Sequence, residues 1–446
     1  MRKILFTTAF ILSSLAAANA SDNTDQATTN YSSTQWQYYA ASDYDGGSGT
    51  EDDPYLIATP EQFMKLAVEI ENLAADDDNW GEEYSYGKYW KQTADLVFND
   101  DVMGCVSFSS GDASIIDDDN LRNYTGIGYY LDEYDYQVFA GTYNGDGHTI
   151  TGLYMSTSSN ATGLFNVVWY GTVKNLIVKD AYLTGNANVG LIAGKLEEGA
   201  SIINCQSSGI IYCGGSYHAG IAGYVNAGSV ANCVSDAWLW AKNNDAGIIG
   251  RGSYTTTVDN CFFYGWIGAV YSNIAKFQYW GAIAAEFGLA EDTYDIEDPD
   301  SPGDTLTLCD NPSTATNCYW TDTCTVRHVD SGTIEAVHPD NSTYGVVENC
   351  YSVGVDSLSA TVDALNAVAA TIDGACGWEL DENNRVTLTF DEPSASTGIT
   401  SASILSEAEG KTVTGYFTLD GIQVSEPADG VNIVKYSDGT AIKIIK

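Results

Sequence analysis

An Asn-Cys pair that returns on a fixed spacing constrains this chain more than any other feature of its sequence. Aligning on the pair gives "SIINCQSSGIIY", "SVANCVSDAWLW" and "TTVDNCFFYGWIG", with Cys205, Cys233 and Cys261 each 28 residues apart. Cys318 follows after 57 residues, two such periods, and Cys350 after a further 32. "GTVKNLIVKDAYL" fits one period earlier, with Leu176 at the cysteine position. Between these runs a Gly-aliphatic segment recurs: "GLFNVV" from Gly163, "GLIAGK" from Gly190, "GIAGYV" from Gly220, "GIIGRG" from Gly247 and "GAIAAE" from Gly281. A repeat of this length is one small unit that can bury its apolar side only against its neighbours. Each period holds a Gly-aliphatic strand, an aliphatic strand ending in Asn and a strand beginning at Cys. Three short strands per coil of about 28 residues predict an all-β fold, a right-handed parallel β-helix. The fixed Leu spacings of a leucine-rich horseshoe are absent.

Strand alternation assigns the side chains. Val230 points inward, Asn232 sits at a bend, and Cys233 points inward as the next face begins; Ile203 or Ile202, Asn204 and Cys205 repeat this, as do Val258, Asn260 and Cys261. Coils stack about 4.8 Å apart, so Asn204, Asn232 and Asn260 should bond along an internal ladder. Cys205, Cys233 and Cys261 should pack beside it as buried free thiols. The remaining cysteines, Cys309 and Cys324 among them, have no connectivity that spacing can settle.

A solenoid must cover its ends, which are otherwise open sheet edges. Thr59-Pro60-Glu61-Gln62 is a capping box, and Phe63, Leu66, Ala67, Ile70 and Leu73 recur at helical spacing after it, predicting an N-terminal capping helix. Leu358, Val362, Leu365 and Val368 predict a second short helix over the last coil. Before the first cap, residues 1–20 combine a basic start, an apolar run and a small-residue ending, the form of a secretory signal. The expected organisation is a signal peptide at 1–20, a flexible segment at 21–48, the cap and first coils at 49–158 and the repeats at 159–356. An insertion at 287–316, a C-terminal cap at 357–392, a linker at 393–400 and a small β module at 401–446 complete it. The insertion is acidic, and Asp295, Glu297, Asp298, Asp300 and Asp304 are oxygen donors for calcium only in principle, since their spacing is not that of an EF-hand; a solvated loop is the simpler reading. No cofactor is implied.

The ordered series "GTEDDPYLIATPEQFMKLA", "GKYWKQTADLVF", "FAGTYNGDGHTITGLYM" and "GLFNVVWYGTVKNLIV", followed by the later coils, resembles the GLUG-motif proteins exported by Bacteroidetes. The resemblance covers roughly residues 49–356 and implies a surface or adhesin-like role without catalytic residues to carry over. The tail "GYFTLDGIQVSEPADGVNIVKYSDGTAIKIIK" resembles the C-terminal sorting domains of type IX secretion, which implies delivery to the cell surface or the medium.

Sixty acidic residues against eighteen basic ones give a net charge of -42, which repels nucleic acid and anionic membranes. No apolar run is long enough for membrane insertion by a helix. Lys242, Arg251, Lys276 and Arg327 show no repeat relationship that would build the cationic site of a polysaccharide lyase. Asp236 and Asp259 lie in neighbouring coils, as a glycoside hydrolase pair would require, but in so acidic a chain a chance pair is the stronger reading. His148, His218, His328 and His338 lack the spacing of a zinc site, so no metal is expected. What remains is aromatic. Tyr212, Trp238, Trp240 and Trp266 fall on alternate positions around the inward Ile211, Leu239 and Ile267, and so turn outward on one face. Either they form an open face for a neutral glycan or a surface protein, or the insertion or the C-terminal region folds over them. The expected function is non-catalytic binding or adhesion by a secreted or cell-surface protein. A carbohydrate-active enzyme on the same fold and a purely structural surface protein are the alternatives.

Overall fold

The computed structural model describes residues 31–71, 82–109, 112–115, 119–132, 135–241, 243–269, 279–288, 294–297, 305–308, 312–324, 326–327, 334–338, 345–391, 413–418, 423–424, 431–436 and 441–445. The expected signal peptide and the linker lie outside them. The repeat closes into a parallel β-helix, in which each strand pairs with its equivalents one period before and after. Three faces result. The first runs into the Asn position, as in Ser229–Ala231, and the second leaves it, as in Val234–Ala241. The third is the Gly-aliphatic segment, which is itself split: Ser216–Ala219 and Ala222–Asn226 are separate strands of one coil.

The bends explain the residues found at them. Asn175, Asn204, Asn232, Asn260, Asn317 and Asn349 all adopt left-handed backbone, with φ between 52° and 55°. Asn tolerates this conformation better than other residues with a Cβ. Inside the stack, the Nδ2 of each Asn donates to the Oδ1 of the preceding one at 2.7 Å for Asn204 to Asn175, 2.8 Å for Asn232 to Asn204 and 2.7 Å for Asn260 to Asn232. The ladder then breaks. Asn317, across the insertion, donates to Asp259 Oδ1 instead, at 2.9 Å. The split of the third face has an equally local cause. A Cβ on Gly190 would stand 2.3 Å from the Ala193 carbonyl oxygen, and one on Gly247 2.3 Å from that of Ala282, so only glycine lets the chain fold this close.

The interior is a continuous apolar column. Met155, Leu183, Ile211, Leu239 and Ile267 stack in register, and Ile202, Val230 and Val258 do so on the first face, with Ile202 rather than Ile203 pointing inward. Cys205, Cys233, Cys261 and Cys318 are buried free thiols beside the Asn ladder, each donating to the carbonyl oxygen two residues earlier. Cys324 is also a free thiol, while Cys309 lies outside the described residues.

The N-terminal helix spans Pro60–Glu71, with Gln62 N–H donating to Thr59 Oγ1 at 3.3 Å and Thr59 N–H to Gln62 Oε1 at 3.2 Å. Phe63, Leu66, Ala67 and Ile70 are buried, and the Phe63 ring meets Tyr143 edge-on at 5.4 Å, plugging the first coils. Leu73 is outside the described residues. Two expectations are corrected. Residues 31–48 are not a flexible lead-in: Trp36 is buried, its N–H donates to the Asn123 carbonyl at 2.9 Å, and Ala41 N–H reaches Glu61 O at 2.8 Å. Nor does the segment after the repeats close over the last coil. Its helix, Leu358–Ala369, and hairpin, Trp378–Leu380 with Val386–Leu388, lie along the flank at the Asn bend. There Trp378 Nε1 donates to Asn232 Oδ1 at 2.6 Å, and Cys376 N–H to Asn204 Oδ1 at 3.0 Å. Helix and hairpin bury Val234 and Phe262 of the second face. The physical reason is that the ladder amides still had hydrogen-bonding capacity facing outward, and this segment satisfies it.

The insertion is narrower than its composition suggested, because Ala284–Phe287 and Thr314–Thr316 remain in the coils. Tyr294–Glu297 and Thr305–Leu308 form an antiparallel pair within it. Asp295 and Glu297 lie on that pair; Asp298, Asp300 and Asp304 are outside the described residues. At the C-terminus, Val413–Thr418, Gln423–Val424, Val431–Tyr436 and Ala441–Ile445 form a four-stranded antiparallel sheet of their own.

Candidate functional site on the second face

The pairing places the four aromatic residues in two adjacent outward columns. Tyr154, Tyr182, Ile210, Trp238 and Trp266 stack in one, and Thr184, Tyr212, Trp240 and Gly268 in the next. Gly268 matters to the packing: with no side chain above Trp240, its ring tilts into the space and meets Trp266 at 3.9 Å between centroids and 74° between planes. Trp238 lies against both, 6.1 Å from Trp240 and 5.8 Å from Trp266. The structure thus brings the three tryptophans together as one cluster.

Their exposure divides them. Trp240 is 3 % exposed and Trp266 8 %, whereas Trp238 is 38 % exposed. All four leave the solenoid interior, but of the two readings, an open face or a covered one, covering applies to Trp240 and Trp266, while Tyr212 is partly accessible and Trp238 exposed. Among the described residues, the cover comes from neither the insertion nor the C-terminal region. It is Met103 of a 3-10 turn at Met103–Cys105 and Val102 just before it, Val106 and Ile115 of the hairpin Val106–Ser109 with Asp112–Ile115, and Leu121 further along the chain. The alternating apolar residues of that hairpin were visible in the sequence, but no period tied them to the aromatic columns.

Along the strand Val234–Ala241 the outward side chains are therefore Val234 under the C-terminal segment, Asp236, Trp238, and Trp240 under the N-terminal hairpin. An open strip remains between the two covers. Beside Trp238 on this strip, Asp236 Oδ2 accepts from Arg385 Nη2 at 2.6 Å, and the Arg385 guanidinium stands 4.7 Å from the Tyr264 ring centroid. Burial opposes the charge of Arg385, but the bond and charge of Asp236 prevail and raise its pKa. Arg385 lies far outside the repeat, and no period or motif links it to Asp236. Asp236 and Asp259 are not a catalytic couple: Asp259 is on the first face, accepting from Thr316 Oγ1 at 2.8 Å and Asn317 Nδ2 at 2.9 Å.

The histidines divide similarly. His148 Nδ1 is 3.3 Å from Asp95 Oδ1 near the N-terminal cap, His338 packs edge-on to Tyr279 and Trp280, and His328 is outside the described residues. His218 is fully buried, with Nδ1 2.7 Å from Asp245 Oδ1 and Nε2 3.2 Å from the Asn186 carbonyl oxygen. Burial lifts the Asp245 carboxyl above its ordinary range, against the opposing pull of His218. Burial also pushes up the Cys213 thiol, and the Asp245 charge adds to the effect, which is the reverse of what a nucleophile needs. These groups lie inside the solenoid.

On the third face, Lys195, Tyr224, Arg251 and Glu286 stack in register. Lys195 Nζ lies 2.7 Å from Glu197 Oε1, and the Arg251 guanidinium stands 5.3 Å from the Tyr224 ring. Arg251, scattered among cations in the sequence, belongs to this ladder of paired charges. Lys242 and Lys276 lie outside the described residues, and Arg327 is on the strand Val326–Arg327. Among the described residues no cluster of three or more His, Cys, Asp or Glu side chains is placed to hold a metal, and no helix is long and apolar enough to cross a membrane.

No family model matches the chain. Halomucin of Haloquadratum walsbyi is 28% identical over 183 residues, 41% of this chain, and the match spans 2% of halomucin's own length. A solved structure from Bacteroides ovatus, provisionally described as an immunoglobulin A1 protease, aligns over 78% of this chain and 96% of its own, at 18% identity and a TM-score of 0.47.

Proposed function

We propose that the protein is a secreted or cell-surface binding protein that engages a neutral glycan on the open strip of the second face, without catalysis. The observation that carries the reading is Trp238: a large amphipathic ring left 38 % exposed on a base of two packed tryptophans, between two covers. An exposed ring held by its neighbours loses little freedom when a sugar face stacks on it. A chain of net charge -42 also disfavours acidic polysaccharides, which leaves neutral ones. The similarity to halomucin, whose name places it among mucins, is in keeping with a surface role. The GLUG-like and sorting-domain-like segments are in keeping with export, and a surface protein is the second partner class for the same strip.

The test is Trp238→Ala, compared with the parent on arrays of immobilised neutral polysaccharides and in thermal melts. A loss of about tenfold or more in affinity with an unchanged melt supports the reading. A parent that binds no neutral glycan, or a variant that binds them as the parent does, overturns it.

A further inference from the structure

A cavity of about 250 Å³ lies between the second face and the C-terminal hairpin. Its floor includes Ser208, Asp236 and Tyr264, and its wall Asp381, Arg385 and Thr387. The coil is irregular at this place. Pairing between the strands Thr172–Thr184 and Ser201–Tyr212 slips between Val178 and Ala181, leaving Lys179 and Asp180 opposite Ser208, with Asp180 left-handed at φ 52°. Such a bulge re-aims side chains, and here it directs Lys179 to the cavity. The wall is fixed: Thr387 Oγ1 donates to Gln206 Oε1 at 3.1 Å, and Asp381 Oδ1 accepts the backbone N–H groups of Asn383 and Arg385, each at 2.8 Å.

The charges facing the cavity balance. Asp236 and Asp381 stand against Arg385 and Lys179, in a chain that elsewhere is heavily acidic. A charged ligand of either sign gains little net attraction there. A neutral polyol gains on both sides, because its hydroxyls donate to the carboxylates and to Thr387 Oγ1, whose own proton is held by Gln206, and accept from the guanidinium, the ammonium and the Ser208 hydroxyl. The volume falls below the ~300 Å³ at which pockets for drug-sized ligands begin, so the cavity suits one ring rather than two. Asp236 is two residues from Trp238 on one strand, a distance of roughly 7 Å, so a chain leaving the cavity passes onto the exposed tryptophan.

We propose that this cavity binds a single neutral pyranose unit, the terminal residue of a glycan whose next unit stacks on Trp238. The inference rests on the glycan reading given above and adds the polar subsite that sets its end specificity.

The experiment is saturation-transfer NMR of the full chain with methyl glycosides of glucose, galactose, mannose and N-acetylglucosamine. At least one should give a signal, which Asp236→Ala weakens about tenfold or more and Ser208→Trp, filling the floor, abolishes. Lys179→Trp, an exposed substitution at the rim, repeats the blockade if Ser208→Trp does not fold. Trp238→Ala should retain the single-sugar signal while losing polysaccharide. If no glycoside gives a signal, or if the signal survives the blocking substitution, the inference is overturned. Polysaccharide binding that depends on Trp238 but not on the cavity would overturn the inference and leave the broader reading standing; loss of all glycan binding overturns both.

Discussion

At the scale of single residues, the Asn-Cys pair was legible because a repeat reports its own neighbours: whatever occupies one coil meets the same residue in the next. The left-handed bend and the amide ladder follow from that alone. What the repeat did not reveal is that its rungs are unequal. Asn232 donates to Asn204 Oδ1 and to the Cys376 carbonyl, and its Oδ1 accepts from Asn260 Nδ2 and Trp378 Nε1. Asn260 donates twice, to Asn232 Oδ1 and the Leu365 carbonyl, but its buried Oδ1 has no hydrogen-bond partner, because Asn317 on the next coil donates to Asp259 Oδ1 instead. Asn→Gly keeps the backbone conformation and removes only the side chain, so it isolates these bonds. At about 1 kcal/mol for each bond and more for every buried partner orphaned, Asn232→Gly should cost roughly 3–5 kcal/mol. Asn260→Gly should cost roughly 1–2 kcal/mol less. Urea unfolding of both variants checks the order, and equal midpoints would remove the distinction.

Whole elements were readable where they carry their own start signals and opaque where their partners lie outside the repeat. The capping box at Thr59 announced its helix, and Thr59→Ala should cost about 1 kcal/mol in the same unfolding assay. The hairpin over Trp240 and Trp266 announced nothing of its destination, since alternation fixes which side of a strand is apolar but not what that side meets. Its docking makes a direct prediction. Ile115→Asp places a carboxylate against the aromatic cluster, which the apolar contact cannot accommodate without undocking. Tryptophan emission should shift to the red as Trp240 and Trp266 become wet, while far-ultraviolet circular dichroism keeps the signature of the coils. An unchanged emission maximum would mean that the hairpin does not hold the cluster dry. The flank position of the segment after the repeats has the same lesson: its helix was visible, but the outward hydrogen-bonding capacity of the ladder decided where it went.

For the molecule as a whole, the acidic charge and two buried acids act in one direction. Burial raises Glu71, at the end of the capping helix, to about 7, although hydrogen bonds from Tyr31 and Thr125 favour its carboxylate; burial also raises Asp245. In the unfolded chain these groups lose their protons near their ordinary values of 4.5 and 3.8. Above that range the native state holds more protons than the unfolded one, so stability falls as pH rises. For Glu71 the loss begins near 4.5 and is complete once pH has passed about 7. Over the same window the carboxylates of a chain at -42 finish ionising and repel one another, which lowers stability further and is screened by salt. Thermal melts should therefore decline from about pH 5 toward 8, less steeply at high ionic strength. Glu71→Gln separates the local effect from the global one, since it removes a buried charge without changing shape. Its curve should be flatter between pH 5 and 8, with a gain of roughly 1–2 kcal/mol at the upper end after allowance for the partial exposure of the side chain. A melting temperature that rises from pH 5 to 8 in the parent would contradict the linkage, and a variant whose slope matches the parent's would assign the whole decline to surface repulsion.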